Sequence, residues 1–134
     1  MQRPRIVLAE DHAEVGAQLR APLVAEFDVV AVVADGQALL RAVETDRPDA
    51  VVTDIVMPGL DGIAATAKLR ASHPDLPVVL VTVHDDPELM ERGHAVGALG
   101  YVSKHRAGQE LLTAVRAALR GERYVSRPTR DRRT

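Results

Sequence analysis

Acidic side chains follow two apolar runs of the sequence, at points where buried strands are expected to end. Glu10 and Asp11 come directly after Arg5–Ala9, and Asp54 comes directly after Ala50–Thr53. If those two strands are neighbours in a parallel sheet, the three carboxylates converge at one edge of it. Close carboxylates repel one another, and a bound Mg²⁺ relieves this repulsion because it prefers carboxylate, phosphate and water oxygens. The pattern therefore indicates a magnesium site.

The same edge of the predicted sheet would hold the other groups that phosphoryl transfer needs. An aspartate can accept a phosphoryl group as an acyl phosphate, which makes Asp54 a candidate acceptor. Such transfer depends on a metal and a nearby cation more than on acid–base groups. Lys104, one of only two lysines in the chain, follows the last apolar run and offers that cation. Thr82, near the end of the fourth run, offers a hydroxyl group for the phosphoryl oxygens.

Taken one at a time, these residues also fit ordinary structural roles. Glu10 and Asp11 could cap the first helix, and Asp54 could be a common loop residue. Thr82 is a frequent residue of β-strands, and His12 fits a polar position at a helix start. The prediction of a chemical site therefore depends on the combination, in which each residue follows the strand where the chemistry requires it.

The elements that would position these residues alternate between short apolar runs and amphipathic segments. Five successive βα units predict an α/β fold, a doubly wound parallel sheet covered on both faces with right-handed crossovers. The flavodoxin-like strand order 2-1-3-4-5 is one of two common solutions, and the pattern alone does not choose between them. The predicted strands are Arg5–Ala9, Asp28–Ala34, Ala50–Thr53, Pro77–Val83 and Leu99–Val102, and the predicted helices are Ala13–Phe27, Gly36–Thr45, Asp61–Ser72, Pro87–Val96 and Ala107–Arg120.

Composition limits the class of protein. The 134 residues are 46% hydrophobic and 27% charged, which fits one globular domain. Because there is no cysteine, disulfides, thiolate metal sites and a cysteine nucleophile are excluded. No apolar run is long enough for a membrane span, and Met1–Arg5 lacks the form of a signal peptide, so a cytoplasmic location is expected. The formal net charge of −2 gives the chain no strong attraction for nucleic acid.

The combination of motifs resembles the receiver domain of two-component response regulators. The matching segments are Leu8–His12, Asp54–Gly62, Val81–Thr82 and Gly97–Lys104, and the resemblance extends from about Arg5 to Arg120. The start Glu10–His12 and the ending Gly121–Ser126 are most similar to regulators with a LuxR-type helix-turn-helix output. The resemblance implies the flavodoxin-like five-stranded order 2-1-3-4-5, a receiver domain over residues 1–121, and a linker or flexible basic tail over 122–134. The chain would then be either a stand-alone receiver or the receiver part of a longer protein with its output domain outside this chain, and the linker-like segment Tyr124–Pro128 favours the second.

The family resemblance also implies a role for each site residue. Asp54 would be the phosphoacceptor, and Mg²⁺ would be bound by Glu10, Asp11, Asp54 and the backbone carbonyl of Val56. Thr82 and Tyr101 match a switch pair, and Lys104 matches a lysine that contacts the phosphoryl group. The implied partners are a sensor histidine kinase, a second copy of the chain on phosphorylation, and DNA only through the missing output domain. The chain would not be an enzyme, although it would assist its own phosphorylation and dephosphorylation.

Two positions depart from the family pattern. Val83 follows Thr82 where relatives usually have a small residue, and a larger side chain there could hinder access to the phosphoryl site or slow hydrolysis. His105 follows Lys104 where many relatives have proline, which argues against a cis peptide bond at that position.

Other functions fit this architecture less well. A pseudo-receiver, which is a binding module of the same fold that is never phosphorylated, would usually lack one of the motif residues. A flavin or nucleotide carrier would need a glycine- or hydroxyl-rich phosphate loop, where this chain has Glu10 and Asp11. An aspartate-nucleophile phosphatase would normally have a second aspartate two residues after Asp54, where this chain has Val56.

The surface expected to change on phosphorylation is the one formed by the fourth helix, the fifth strand and the fifth helix. The fourth helix has few large apolar residues beyond Leu89, Met90 and Val96, so it is expected to bury little surface. Thr82 lies just before this helix and Tyr101 lies in the strand after it. Segments that switch are drawn from the less stable parts of a protein, which favours Asp86–Val102.

Overall fold

Five α-helices cover the two faces of a six-stranded, all-parallel sheet in the computed structural model, which describes residues 2–83 and 86–126. The strand order is β2-β1-β3-β4-β5-β6, so the flavodoxin-like order is confirmed over the first five strands. A short 3₁₀ helix, Lys104–Arg106, joins β5 to α5. The strands are β1 Arg5–Ala9, β2 Asp28–Val33, β3 Ala50–Asp54, β4 Val78–Thr82, β5 Gly100–Ser103 and β6 Tyr124–Val125, and the helices are α1 Ala13–Val24, α2 Gly36–Asp46, α3 Gly62–Ser72, α4 Pro87–Ala95 and α5 Ala107–Leu119.

Two apolar cores, one on each face of the sheet, hold the central strands in place. Alternate residues of a strand point to opposite faces, so each strand contributes to both cores. On one face Leu8 packs with Leu23 of α1 and Leu111 of α5. On the other face Leu80 packs with Leu39 of α2, together with residues of α3. Because β3 and β4 are buried along their whole length, the carboxyl ends of these strands form a rigid edge.

Helix α1 ends at Val24 and not at Phe27, where the sequence pattern placed its end. The amides of Glu26 and Phe27 both donate to the carbonyl of Leu23, which turns the chain toward β2. Arg3 donates to the carbonyls of Val24, Glu26 and Phe27, and so satisfies acceptors that the end of a helix leaves free. A side chain distant in the sequence therefore sets this boundary.

The prediction of a five-stranded sheet is wrong for the segment that follows α5. Gly121 adopts a left-handed φ of 77°, its amide donates to Ala118, and the amide of Glu122 donates to Ala117. This Schellman arrangement ends α5 and turns the chain back. Tyr124–Val125, predicted to belong to a linker, then pairs in parallel with β5 as the sixth strand. The basic tail predicted from Arg127 to Arg133 lies outside the described residues.

The loop between β3 and α3 passes very close to the backbone of Asp54. The amide of Gly62 donates to the carbonyl of Ile55 at 2.7 Å. A Cβ atom at position 62 would lie 2.0 Å from the carbonyl oxygen of Asp54, so only glycine fits there. Asp61 caps α3 by accepting a hydrogen bond from the amide of Ala64 at 2.8 Å, which fixes where the loop ends.

Two further predictions concern the whole described chain. None of its helices has both the length and the apolar character that crossing a membrane requires. Its peptide bonds are all trans, which includes the bond between Lys104 and His105 and confirms the inference from the missing proline.

We predict that Gly62→Ala destabilises the protein by about 2 kcal/mol or more, because the new methyl group meets a backbone carbonyl that cannot move freely. Gly108→Ala is the matched control, since a Cβ at this exposed position of α5 meets nothing within 4 Å. The control is expected to be neutral or to stabilise by up to about 1 kcal/mol, because alanine favours a helix. Urea unfolding of both variants measures the difference, and equal stabilities would contradict the steric account.

Candidate functional site

The candidate site lies at the carboxyl ends of three strands. Glu10 follows β1, Asp54 is the last residue of β3, and Lys104 follows β5. Strands β1 and β3 pair directly, with Ala9 opposite Thr53, which confirms that these strands are adjacent in the sheet. Side chains that are distant in the sequence therefore meet at one end of the sheet, as ligand sites of this architecture do.

Lys104 forms a buried ion pair with both Glu10 and Asp54. Its Nζ lies 2.6 Å from Oε1 of Glu10 and donates a hydrogen bond to Oδ2 of Asp54 at 2.9 Å. The side chains of Glu10, Asp54 and Lys104 are 0%, 7% and 12% exposed. Water screens such charges little, so the attraction between them is strong, but removing them from water costs free energy. The ammonium therefore offsets part of the cost of keeping two carboxylates in one crevice.

Burial and the two ion pairs act in opposite directions on the carboxylates. Burial raises the pKa of Asp54, the nearby charge of Glu10 raises it further, and the Lys104 ammonium and the Val56 amide only partly oppose this, so the pKa is above its ordinary value. Burial is also the largest influence on Glu10, but Lys104 and His12 together outweigh it and lower that pKa. Burial tends to lower the pKa of Lys104, yet its two carboxylate partners raise it, which keeps the side chain charged.

Asp11 supplies an observation that bears on a metal. Its Oδ1 atom is buried and makes no hydrogen bond to any described residue, although Nδ1 of His12 lies 3.3 Å away. A buried carboxylate oxygen without a donor is costly, and a cation would satisfy it. Glu10, Asp11 and His12 each offer one ligand atom within 4.8 Å of the others. The oxygens of Glu10 and Asp11 suit Mg²⁺ by their chemistry, whereas the exposed imidazole of His12 does not.

Asp54 and Val56 complete the predicted set of metal ligands. Asp54 lies outside the group of possible ligands formed by Glu10, Asp11 and His12, and its carboxylate accepts a hydrogen bond from Lys104. The amide of Val56 approaches Oδ1 of Asp54 at 3.4 Å, and Val56 itself is 60% exposed. The roles of Asp54 and of the Val56 carbonyl as metal ligands stay predictions.

The predicted switch pair is buried on neighbouring strands. Thr82, 1% exposed, ends β4 one residue after Val81, the residue that pairs with Asp54. Tyr101 on β5 is 8% exposed and belongs to the core that packs against α2, α3 and α4. An inward position of the Tyr101 side chain is therefore sterically allowed in this fold. Val83, after Thr82, is 51% exposed and lies at the same edge of the sheet.

Two features of the site did not emerge from the sequence. Glu10 was assigned to the metal and Lys104 to the phosphoryl group, so their direct ion pair was not predicted. Gly62 was also not counted as a site residue, although the backbone of Asp54 depends on it. The sequence does contain a signal for this role. Gly62 directly follows Asp61 at a predicted helix start, and a loop that turns into a helix often needs a glycine.

Comparison with known proteins agrees with this geometry. Residues 6–116 match the family model of the response regulator receiver domain. The chain is 36% identical over 124 residues to the oxygen regulatory protein NreC of Staphylococcus haemolyticus, covering 90% of this chain and 57% of that protein. It is 36% identical over 125 residues to the response regulator GacA of Pseudomonas viridiflava, covering 91% and 58%. The chain thus spans little more than half the length of these relatives.

Two solved structures are similar to this one over most of their length. The signal receiver domain of NarL from Mycobacterium tuberculosis superposes with a TM-score of 0.86 and 27% identity, covering 91% of this chain and 100% of that one. A LuxR-family two-component response regulator from Aurantimonas sp. superposes with a TM-score of 0.86 and 32% identity, covering 92% and 89%. The fold, the family model and these relatives together show that this chain belongs to the response regulator receiver domain family.

Proposed function

We propose that this chain is a cytoplasmic phosphorylation switch in which Asp54 accepts a phosphoryl group from a sensor histidine kinase. The observation that carries the proposal is the buried carboxylate of Asp54, held by Lys104 beside Glu10 at the ends of three strands. This arrangement combines a nucleophile, a fixed cation and a second carboxylate in one crevice. Membership of the receiver family supports the same chemistry.

In the proposed reaction, a carboxylate oxygen of Asp54 attacks the phosphorus of the donor. A bond forms between that oxygen and phosphorus, and the bond from phosphorus to the donor nitrogen breaks with its electron pair going to the donor. The Lys104 ammonium then exchanges part of its contact with Asp54 for a contact with a phosphoryl oxygen. Because it is already placed 2.9 Å from Asp54, little reorganisation is needed.

Glu10 and Asp11 are the residues that would hold Mg²⁺, with Asp54 and the Val56 carbonyl as further ligands. The three carboxylates and Lys104 carry a net charge of −2 when all four groups are ionised, which a divalent cation neutralises. When bound, the metal supplies charge neutralisation for the phosphoryl oxygens. Asp11 contributes the oxygen that lacks a hydrogen bond among the described residues.

The response to phosphorylation would proceed through Thr82 and Tyr101. The Thr82 hydroxyl is drawn toward the phosphoryl oxygens and leaves space that favours the inward position of Tyr101. The two side chains form a two-state element that the new charge biases. Helix α4, where Gly93 is the only buried residue, lies between these two positions in the sequence, so we assign the output to the α4-β5-α5 face.

The output of this switch would be control of transcription. The similar proteins include an oxygen regulatory protein, the response regulator GacA and a LuxR-family two-component response regulator, and the two curated relatives are longer than this chain. A receiver domain over residues 1–121 would then act on a DNA-binding domain outside this chain, through dimerisation or direct contact. In this view the chain is a signalling domain that assists its own phosphorylation and dephosphorylation. A pseudo-receiver that binds a partner without phosphate is the alternative.

We predict that labelling by acetyl phosphate with Mg²⁺ requires Asp54. Asp54→Asn should abolish labelling because the amide is a poor nucleophile, whereas Asp11→Asn should weaken Mg²⁺ binding and slow labelling. Asp49→Asn is a control at the opposite end of β3, where the carboxylate accepts from the amide of Arg5 at 2.7 Å. Intact-mass spectrometry measures phosphate incorporation into the wild type and each of these variants. Normal labelling of Asp54→Asn would refute the site, and an unlabelled wild type would favour the pseudo-receiver.

We predict that beryllofluoride, a phosphoryl mimic, changes amide exchange most strongly across the segment 86–102. Helix α1 should change less, apart from its start next to the metal ligands. Thr82→Ala should still bind the mimic but should lose the change across 86–102, because it cannot be drawn to the phosphoryl oxygens. Hydrogen-exchange mass spectrometry of both proteins measures this. An effect confined to α1, or an equal response in the variant, would contradict the assignment of the output face.

A further inference from the structure

A buried carboxylate outside the phosphoryl site holds the last described segment of the chain. Glu110 lies in the first turns of α5, and its side chain is only 11% exposed. Its Oε2 accepts from Nε of Arg106 at 2.6 Å, and its Oε1 accepts from the hydroxyl group of Ser126. Burial alone would raise the pKa of Glu110, but the hydrogen bonds from Ser126, Arg106 and Tyr124 lower it. The carboxylate is thus a charged anchor for β6.

Ser126 connects this anchor to the backbone of β5. Its hydroxyl oxygen accepts a hydrogen bond from the amide of Ser103 at 3.1 Å, while its own amide donates to the carbonyl of Tyr101 at 2.8 Å. The amide of Tyr124 donates to the carbonyl of Leu99 at 2.9 Å. Segment 124–126 therefore contacts β5 at the proposed switch residue Tyr101 and at Ser103, the residue directly before Lys104.

The short strand depends on this anchor for its position. A strand of two residues makes few ladder hydrogen bonds and has little stability of its own. Val125 remains 37% exposed and Tyr124 is only partly buried against the core, so apolar burial alone holds β6 incompletely. The buried hydrogen bonds of Glu110 with Ser126 and Tyr124 provide the further stabilisation that keeps β6 docked on β5.

We propose that the Glu110–Ser126 contact couples the docking of segment 124–126 to the occupancy of the phosphoryl site. This inference rests on the proposed function, since it assumes that Asp54 is the acceptor. A phosphoryl group adds a contact to Lys104 and so further restrains the end of β5, and a docked β6 restrains the same stretch of backbone from its other side. Each event lowers the ordering cost of the other, so the coupling is positive and reciprocal.

The coupling gives the domain a route to whatever follows it in the chain. In the proposed arrangement the DNA-binding output comes after the receiver domain, so β6 is the first element that connects the two. Glu110 would be a positioning residue in this route, because it acts on β5 through Ser126 and does not touch the phosphoryl site. Segment 124–126 is then part of the switch and not a passive linker.

The test uses the full 134-residue chain with Mg²⁺ and beryllofluoride. Residue-resolved amide exchange by NMR should show that the mimic slows exchange of the Tyr124 and Ser126 amides by about fivefold or more. Glu110→Gln and Ser126→Ala should speed exchange of these amides without the mimic. Because the coupling is reciprocal, both variants should bind beryllofluoride more weakly. The loss of affinity should be at most the factor by which the mimic slows exchange of the Tyr124 and Ser126 amides in the wild type. Ser126→Ala removes a single hydroxyl group, so the same two measurements can be made on this variant if Glu110→Gln folds poorly.

Glu122→Gln is the matched control. Glu122 lies just before that segment and, among the described residues, its side chain pairs with exposed Arg120 at 3.0 Å, so its variant should match the wild type in both measurements. Beryllofluoride that binds the wild type without changing exchange at Tyr124 and Ser126 would overturn the inference and leave the proposed function intact. Glu110→Gln and Ser126→Ala variants that bind beryllofluoride as tightly as the wild type would also overturn the inference and leave the proposed function intact. A wild type that does not bind beryllofluoride at all would overturn the proposed function together with this inference.

Discussion

The contact of one ammonium group with two buried carboxylates is the interaction on which the site depends. Lys104 lies within 3 Å of both Glu10 and Asp54, and all three side chains are largely removed from water. Without a cation, two carboxylates in such a crevice would repel each other and at least one would take up a proton. Lys104 keeps Asp54 available as a nucleophile, even though burial raises the pKa of that carboxyl group.

The fold supplies this contact through a constraint on the backbone. Parallel strands end at the same edge of the sheet, so residues separated by 44 and 50 positions meet there once β1, β3 and β5 are aligned. Two apolar cores hold the strands, and the loop after Asp54 closes tightly enough that position 62 accepts only glycine. Edge strand β6 adds contacts to β5 from the side opposite β4, at the backbone that carries Tyr101 and leads to Lys104. The position of each charged group therefore depends on packing that lies well outside the site.

Sequence patterns predicted most of this architecture because the physical signals were local. Apolar runs of strand length separated by amphipathic segments indicated five βα units, and the positions of Glu10, Asp54 and Lys104 after those runs indicated a shared edge. Three features were not accessible in this way. The end of α1 depends on Arg3, the sixth strand depends on the buried carboxylate of Glu110, and the Glu10–Lys104 pair depends on side-chain directions. Each of these arises from a contact between distant residues, which periodicity and residue type do not encode.

The role of Lys104 as the cation that keeps two carboxylates together can be measured directly by urea unfolding of the wild type and of Lys104→Met. The substitution keeps an unbranched side chain, one atom shorter, and removes its charge, which leaves Glu10 and Asp54 without their ammonium partner. In EDTA the variant should be less stable by about 3 kcal/mol, the usual effect of removing one partner of a buried ion pair. Mg²⁺ should stabilise the variant more than the wild type, because it supplies positive charge to the same carboxylates. Equal stability of the two proteins in EDTA would contradict the account.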